Sequence, residues 1–306
     1  MNMEIYQYVN PFVQKTSNKK LIAIALVDLA LALMFIIFTM MQTGAPVALG
    51  MNFVGGTQFT MMTDMTEEEL QDMFSDYPLT TVRIFGSYCT LQFNQMDGDD
   101  LKSLEDTIYG NASFQEVQED QISPRYSKDL QRSSLIAVML SFVGMMAIVF
   151  LLFRKVVPAL AIILSSASDI IIAMAFMDLF GIELTLGTIA ALLMIIGYSV
   201  DSNILLTNKV FKGSGTLDNK ISAAMRTGLI MTTTTAVAFF IMHIITTYMH
   251  YILPEIAPVP IISQLSLIVL IGLLADTMNT WFLNVGILRM YLTHPKNKSK
   301  KGGRHT

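Results

Sequence analysis

The chain has 306 residues, of which 53% are hydrophobic and 14% charged, with a mean hydropathy of +0.52. That composition excludes a soluble globular domain of this size, and a net charge of −4 leaves no basic footprint for nucleic acid. One cysteine, Cys89, cannot form an intrachain disulfide, so any domain outside a membrane must be held by its own core.

A spanning helix needs roughly 20 apolar residues. Six stretches qualify: 21–43, 134–153, 157–180, 184–206, 227–248 and 261–288. The first is too long for a signal-peptide core and shows no small-residue cleavage site, so it reads as a retained anchor. Basic residues cluster on one side of the spans. Lys15, Lys19 and Lys20 precede the first, and Arg154 and Lys155 separate the second from the third. Lys209, Lys212, Lys220 and Arg226 separate the fourth from the fifth, and Arg289, Lys296, Lys298, Lys300, Lys301 and Arg304 follow the sixth. The positive-inside rule then predicts a multi-pass protein of the cell membrane with a cytoplasmic N-terminus (1–20) and a basic cytoplasmic tail (289–306). The tail is suited to contact anionic lipid.

The loop 44–133, between spans one and two, falls on the outer side. It carries 15 acidic and 5 basic residues, a solvated acidic surface. Its pattern predicts a strand over 52–61, a helix over 66–74 with Thr66 as N-cap, and two strands at 81–85 and 88–93 turned by Gly86-Ser87. A second helix over 99–109 and a strand over 114–121 complete β-α-β-β-α-β, a ferredoxin-like α+β order. The expected fold is therefore α-helical and membrane-embedded: span one (21–43), an extracytoplasmic α+β domain (44–133), and spans two to six (134–288).

Ionisable residues inside spans are costly and mark function by default. Asp201, following Leu192–Val200 and preceding Ile204-Leu205-Leu206, stands out. Asp169 in span three, Asp276 in span six and Arg226 at the mouth of span five fall at depths that allow one cluster, counting 1.5 Å per residue. Ser199, Ser202 and Asn203 flank Asp201. Ser165, Ser166 and Ser168 flank Asp169, Thr277, Asn279 and Thr280 follow Asp276, and a threonine run including Thr232 and Thr235 follows Arg226. These hydroxyls and amides suit a hydrogen-bond relay, and small residues also serve as helix-packing contacts. Asp201 and Arg226 are expected to pair. Asp28 and Asp178 are weaker candidates, and His243 and His250 read as interfacial, with no ligand pattern for a metal. No phosphate-loop motif and no paired intramembrane-protease aspartate motif is present, so no enzyme activity and no cofactor are expected.

Several segments resemble the SecD/SecF protein-export family of the RND-type superfamily. Asn52-Phe53-Val54-Gly55-Gly56-Thr57 resembles its F-x-G-G-T segment, and Ile122-Ser123-Pro124 its (I/V)-(G/S)-P stretch. Gly197-Tyr198-Ser199-Val200-Asp201-Ser202-Asn203 resembles its fourth-helix motif, and Arg226-Thr227 with the threonine run its fifth-helix pattern. Ala275-Asp276-Thr277-Met278-Asn279-Thr280-Trp281 is similar to the archaeal SecF branch. Bacterial members carry the fourth-helix acid one position later, at the site of Ser202, and small or hydroxyl residues in span six. The resemblance implies a subunit that assists polypeptide export at a SecY/SecE-type channel, driven by a proton or sodium gradient. It also implies a SecD homologue as partner and an outer domain that engages the unfolded secretory polypeptide. Asp201 would be the coupling acid and Arg226 its basic partner. The competing readings are a non-energised stabilising subunit of the Sec channel and an RND-type efflux half-transporter.

Overall fold

A computed structural model of the chain describes residues 2–252 and 259–293. Most of the basic tail (294–306) and the side chain of His250 lie outside the described residues.

An unforeseen helix, α1 (Asn2–Lys15), occupies most of what reads as a plain N-terminal segment. It packs beside a later helix through Val13, which joins Ile221, Met225, Val285 and Leu288 in one buried cluster. The first span is α2 (Asn18–Thr43), closed by Gly44 in the left-handed region (φ 78°).

The expected first strand of the loop domain is half right. Residues Met51–Val54 form a helical turn, α3, and β1 (Gly56–Met62) begins only afterwards. The glycines force the break. Gly55 and Gly56 have φ of 86° and 132°, and a Cβ on Gly56 would lie 2.2 Å from the Phe93 carbonyl oxygen. Then follow α4 (Glu67–Met73), β2 (Leu79–Phe85), β3 (Tyr88–Phe93), α5 (Gly98–Tyr109) and β4 (Gln115–Ile122). Thr66 caps α4 in a reciprocal box with Glu69, whose carboxyl those hydrogen bonds hold below the ordinary range. The sheet is antiparallel with order β2-β3-β1-β4, the ferredoxin-like arrangement.

One face of that sheet packs Phe59, Met61, Leu91 and Phe93 against Leu70, Phe74, Leu104 and Ile108 of the two helices. Phe74 meets Phe93 edge-on with ring centroids 5.7 Å apart. Cys89 is buried there, and desolvation pushes its thiol up to about 11. The other face is polar. Gln58 pairs with Gln92 and Thr60 with Thr90 across the β1–β3 ladder.

The remaining chain is helical: α6 (Pro124–Phe153), α7 (Val156–Leu179), α8 (Leu186–Lys212), α9 (Leu217–Ile252) and α10 (Pro260–Met278). A π-helical segment, Asn279–Asn284, leads from α10 into α11 (Val285–Thr293). Among the described residues six segments are long and apolar enough to cross a membrane, the last being Pro260–Thr293. Helix α6 starts ten residues ahead of the expected span, because Ser123 caps it and Pro124 sits in its first turn. Helices α7, α8 and α10 form the inner layer, with Ile162, Ala173, Met177, Ala191, Ile195, Ile268 and Leu273 buried between them. Close approach comes from small residues: a Cβ on Gly272 would lie 2.3 Å from Ile195 Cδ1. Apolar side chains of α2, α6 and α9, including Phe38, Leu140, Leu151 and Phe240, are exposed on the outside, as lipid contact requires.

The α+β domain is anchored to the bundle. Arg83 on β2 pairs with Glu183 in the α7–α8 turn at 2.8 Å. Leu184 exchanges backbone hydrogen bonds with Ala48 (2.7 Å) and Gly50 (2.9 Å).

Candidate functional site

Three helices bring polar side chains to one buried point. Ser199, Ser202 and Asn203 are spaced i, i+3, i+4 on α8, so they share its inward face. Asp169 projects from α7 and Asp276 from α10, and these two carboxylates are 0% and 1% exposed. Asp169 accepts hydrogen bonds from Ser199 Oγ at 2.5 Å and from Asn279 Nδ2 at 2.7 Å. The Ser202 hydroxyl lies 2.7 and 2.9 Å from the two oxygens of Asp276, which share its single proton, and Asp276 also accepts from Thr280 Oγ1 at 3.0 Å. Ser199 also meets Ser166 Oγ at 2.9 Å. Asn203 donates to the Ser199 carbonyl at 2.8 Å and accepts from Asn284 Nδ2 at 2.5 Å.

The π-helical segment builds one wall of this site. Asn279 and Asn284 are five residues apart and would point to different sides of a regular α-helix. The wider turn aims Asn279 at Asp169 and Asn284 at Asn203. Trp281, within the segment, is 2% exposed and seated on Gly228 of α9, where a Cβ would lie 2.5 Å from the indole ring. Glycine at 228 is therefore what lets α9 close over this turn.

No cation is paired with the two acids. Among the described residues the ion pairs are Arg83–Glu183 and Arg289–Asp218, both away from this point. The Oδ1 atoms of Asn279 and Asn284 are buried without a hydrogen-bond partner among the described residues. No group of three or more His, Cys, Asp or Glu side chains that could hold a metal ion occurs among them.

The expected site residues divide into two sets. Asp169, Asp276, Ser199, Ser202 and Asn203 meet. Asp201 does not join them: it is exposed, one helical step from Ser202, and makes no hydrogen bond or ion pair among the described residues. Arg226 is exposed on α9, so the expected Asp201–Arg226 pair is not formed. The correction is one of azimuth, since a single residue turns the side chain by about 100°. Thr232 accepts a hydrogen bond from Tyr198 at 2.8 Å and donates to the Gly228 carbonyl at 3.1 Å, tying α9 to α8. Thr235 is half-buried nearby on the same helix. His243 is half-buried between α9 and α10, 3.1 Å from the Ser263 carbonyl. Arg289, counted among the tail's basic residues, is buried. It donates to the Val13 carbonyl and to Asp218, both at 2.8 Å, fastening α1 to the bundle.

Sequence reasoning passed over Asn284 and gave Tyr198 no contact of its own. The available signal was the pair of asparagines flanking the only tryptophan, at a spacing that suits neither an α-helical face nor a strand.

These features define a class: a polytopic membrane protein with a ferredoxin-like head and a buried acid pair between its inner helices. The model of the protein export membrane proteins SecD/SecF, C-terminal region, matches residues 103–294. The protein-export membrane protein SecF of Methanolacinia petrolearia is 39% identical over 292 residues, covering 95% of this chain and 98% of that protein. SecF of Haloferax volcanii is 38% identical, covering 90% of this chain and 93% of that one. The crystal structure of SecDF, a translocon-associated membrane protein from Thermus thermophilus, superposes with a TM-score of 0.71 at 18% identity. It covers 90% of this chain, which spans 38% of the SecDF chain. The chain belongs to the SecF family of protein-export membrane proteins, in its archaeal form.

Proposed function

We propose that the chain assists polypeptide export as the SecF half of a complex with a SecD homologue, drawing on a transmembrane ion gradient. It performs no chemical catalysis, both termini face the cytoplasm, and the α+β head lies outside, where secretory polypeptide leaves a SecY/SecE-type channel. One observation carries the gradient reading: two acids buried in a membrane bundle without a protein cation, held by hydroxyls and amides on three helices. A purely structural role would be served at lower cost by apolar packing or a paired charge.

The relation to bacterial members supports it. Their fourth-helix acid stands at the position of Ser202. In this chain the Ser202 hydroxyl contacts both oxygens of Asp276, so the carboxylate reaches the same point from α10. Asp201 and Arg226, on exposed faces of α8 and α9, are the charges that a SecD half would cover. An uncovered carboxylate against lipid is costly, and the covering half supplies its partner.

The test is export into membrane vesicles from cells lacking this chain and its SecD partner, with an ion gradient imposed. Restoring both chains should raise gradient-dependent translocation. Equal translocation with and without the gradient would leave only the stabilising role.

A further inference from the structure

We propose that the groove between α2 and α7 that holds Asp28 docks one spanning helix of a further membrane partner, a helix carrying a lysine or arginine at the depth of Asp28. The inference goes beyond the export reading and uses it only to place the SecD half elsewhere.

Depth is the first argument. Asp28 stands eight residues past Lys20 and fifteen before Thr43, where α2 ends. At 1.5 Å per residue it is about 12 Å from the basic end of the span and about 22 Å from the other. Lipid headgroups lie outside the hydrocarbon core, and aspartate is too short to snorkel to them over that distance.

Charge is the second. Asp28 is half-buried and makes no hydrogen bond or ion pair among the described residues. The charged groups on the helices around α2 are engaged elsewhere. On α7, Asp169 is held by Ser199 and Asn279, and Asp178 accepts from Ala48 N. On α10, Asp276 is held by Ser202 and Thr280. The one cation near these elements, Arg289 on α11, is tied to the Val13 carbonyl and to Asp218. A carboxylate inside a bilayer is retained where a partner charge meets it, so the complement of Asp28 is a cation brought by another chain.

Shape is the third. Ala32 and Ala175, 8% and 7% exposed, form the floor of the groove, and Leu31 and Leu179, 55% and 60% exposed, stand at its rims. Small residues at the floor let a helix backbone come close. The groove holds about 200 Å³. That is below the roughly 300–1,000 Å³ of sites that enclose a small molecule, so it takes the side chains of a helix rather than a compact ligand.

This surface is separate from that of Asp201. Helix α2 packs on α7, the π-helical segment and α11, whereas α8 packs on α6, α7, α9 and α10. A SecD half that covers the exposed faces of α8 and α9 therefore leaves the α2 groove open.

The test uses the full chain in phosphatidylcholine vesicles and synthetic leucine-alanine helices of about 23 residues. Each peptide carries a dansyl acceptor and no tryptophan, so energy transfer from Trp281, the chain's single tryptophan, reads binding. A peptide with one lysine at the level of Asp28 should bind about tenfold tighter than the same peptide with leucine there. Moving the lysine seven residues along the same face should remove the preference. Asp28→Asn should abolish it, Asp201→Asn should leave it intact, and Asp28→Lys should transfer it to a glutamate peptide. Equal binding of the lysine and leucine peptides to wild type overturns the site without recourse to any variant. So does a preference that ignores the lysine's depth or survives Asp28→Asn. The same titration on the complex with SecD should give unchanged affinity; blocked binding would assign the groove to SecD and overturn a further partner. Binding is read without export, so this result stands or falls separately from the gradient assay.

Discussion

Asp201 and Ser202 are neighbours in the chain and opposites in the structure. Ser202 faces inward, 4% exposed, and contacts both oxygens of Asp276; Asp201 faces outward with no partner among the described residues. The two faces of α8 therefore run on different physics. On the inner face the buried polar groups Ser199, Ser202 and Asn203 take their partners from the chain itself. On the outer face a charge is tolerated only if something outside the chain meets it. Depth in the bilayer shows that an acid is costly, while its position around the helix axis shows who bears the cost.

This contrast can be broken by substitution. The largest effect is expected from Asp276→Asn, which should cut gradient-dependent export by about tenfold or more while the complex still assembles. Asp201→Asn should cost less than that, and the reverse order would return the coupling role to the outer face. Next comes Ser202→Ala. It strips a buried carboxylate of its principal donor and should lower stability by about 1–3 kcal/mol, read by thermal unfolding in detergent. Gly228→Val should drive a side chain into Trp281 and cost about 1–3 kcal/mol in the same assay, with a shift in Trp281 emission. The smallest effect is expected for Asp201→Asn in the isolated chain, within about 0.5 kcal/mol of wild type. The same substitution should weaken co-purification of SecD, because only then does the outer face acquire a partner.

Much of this organisation is legible in the sequence for simple reasons. Apolar length alone marks six spans. The Thr66–Glu69 spacing announces the α4 cap, and Gly86-Ser87 announces the β2–β3 turn. Asp169, Asp276 and the hydroxyls on α8 can be grouped by counting depth along each helix. What escapes is what depth and period do not encode. Azimuth separates Asp201 from Ser202, and it depends on how α8 packs on α7 and α10. The π turn changes the period itself, which hides the role of Asn284. Helix α1 is held by a buried arginine 276 residues further along the chain, a contact with no local signature. The two glycines at 55 and 56 read as lying inside one strand, and only the Phe93 carbonyl pressed against Gly56 explains why the strand starts there.

One junction has a mechanical meaning. Strand β4 ends at Ile122 and α6 begins at Pro124, so Ser123 is the whole connection, and the side chain of Gln131 reaches back to the Phe53 carbonyl. The sheet and the helix have no slack between them. Helix α6 is 30 residues long, about 45 Å of stiff rod, and most of its apolar surface is free of its own bundle. A tilt of about 10° at the head would carry the far end of such a rod roughly 8 Å. The head and its shaft form a lever, so a tilt of the sheet is felt at the far end of a helix long enough to cross a membrane.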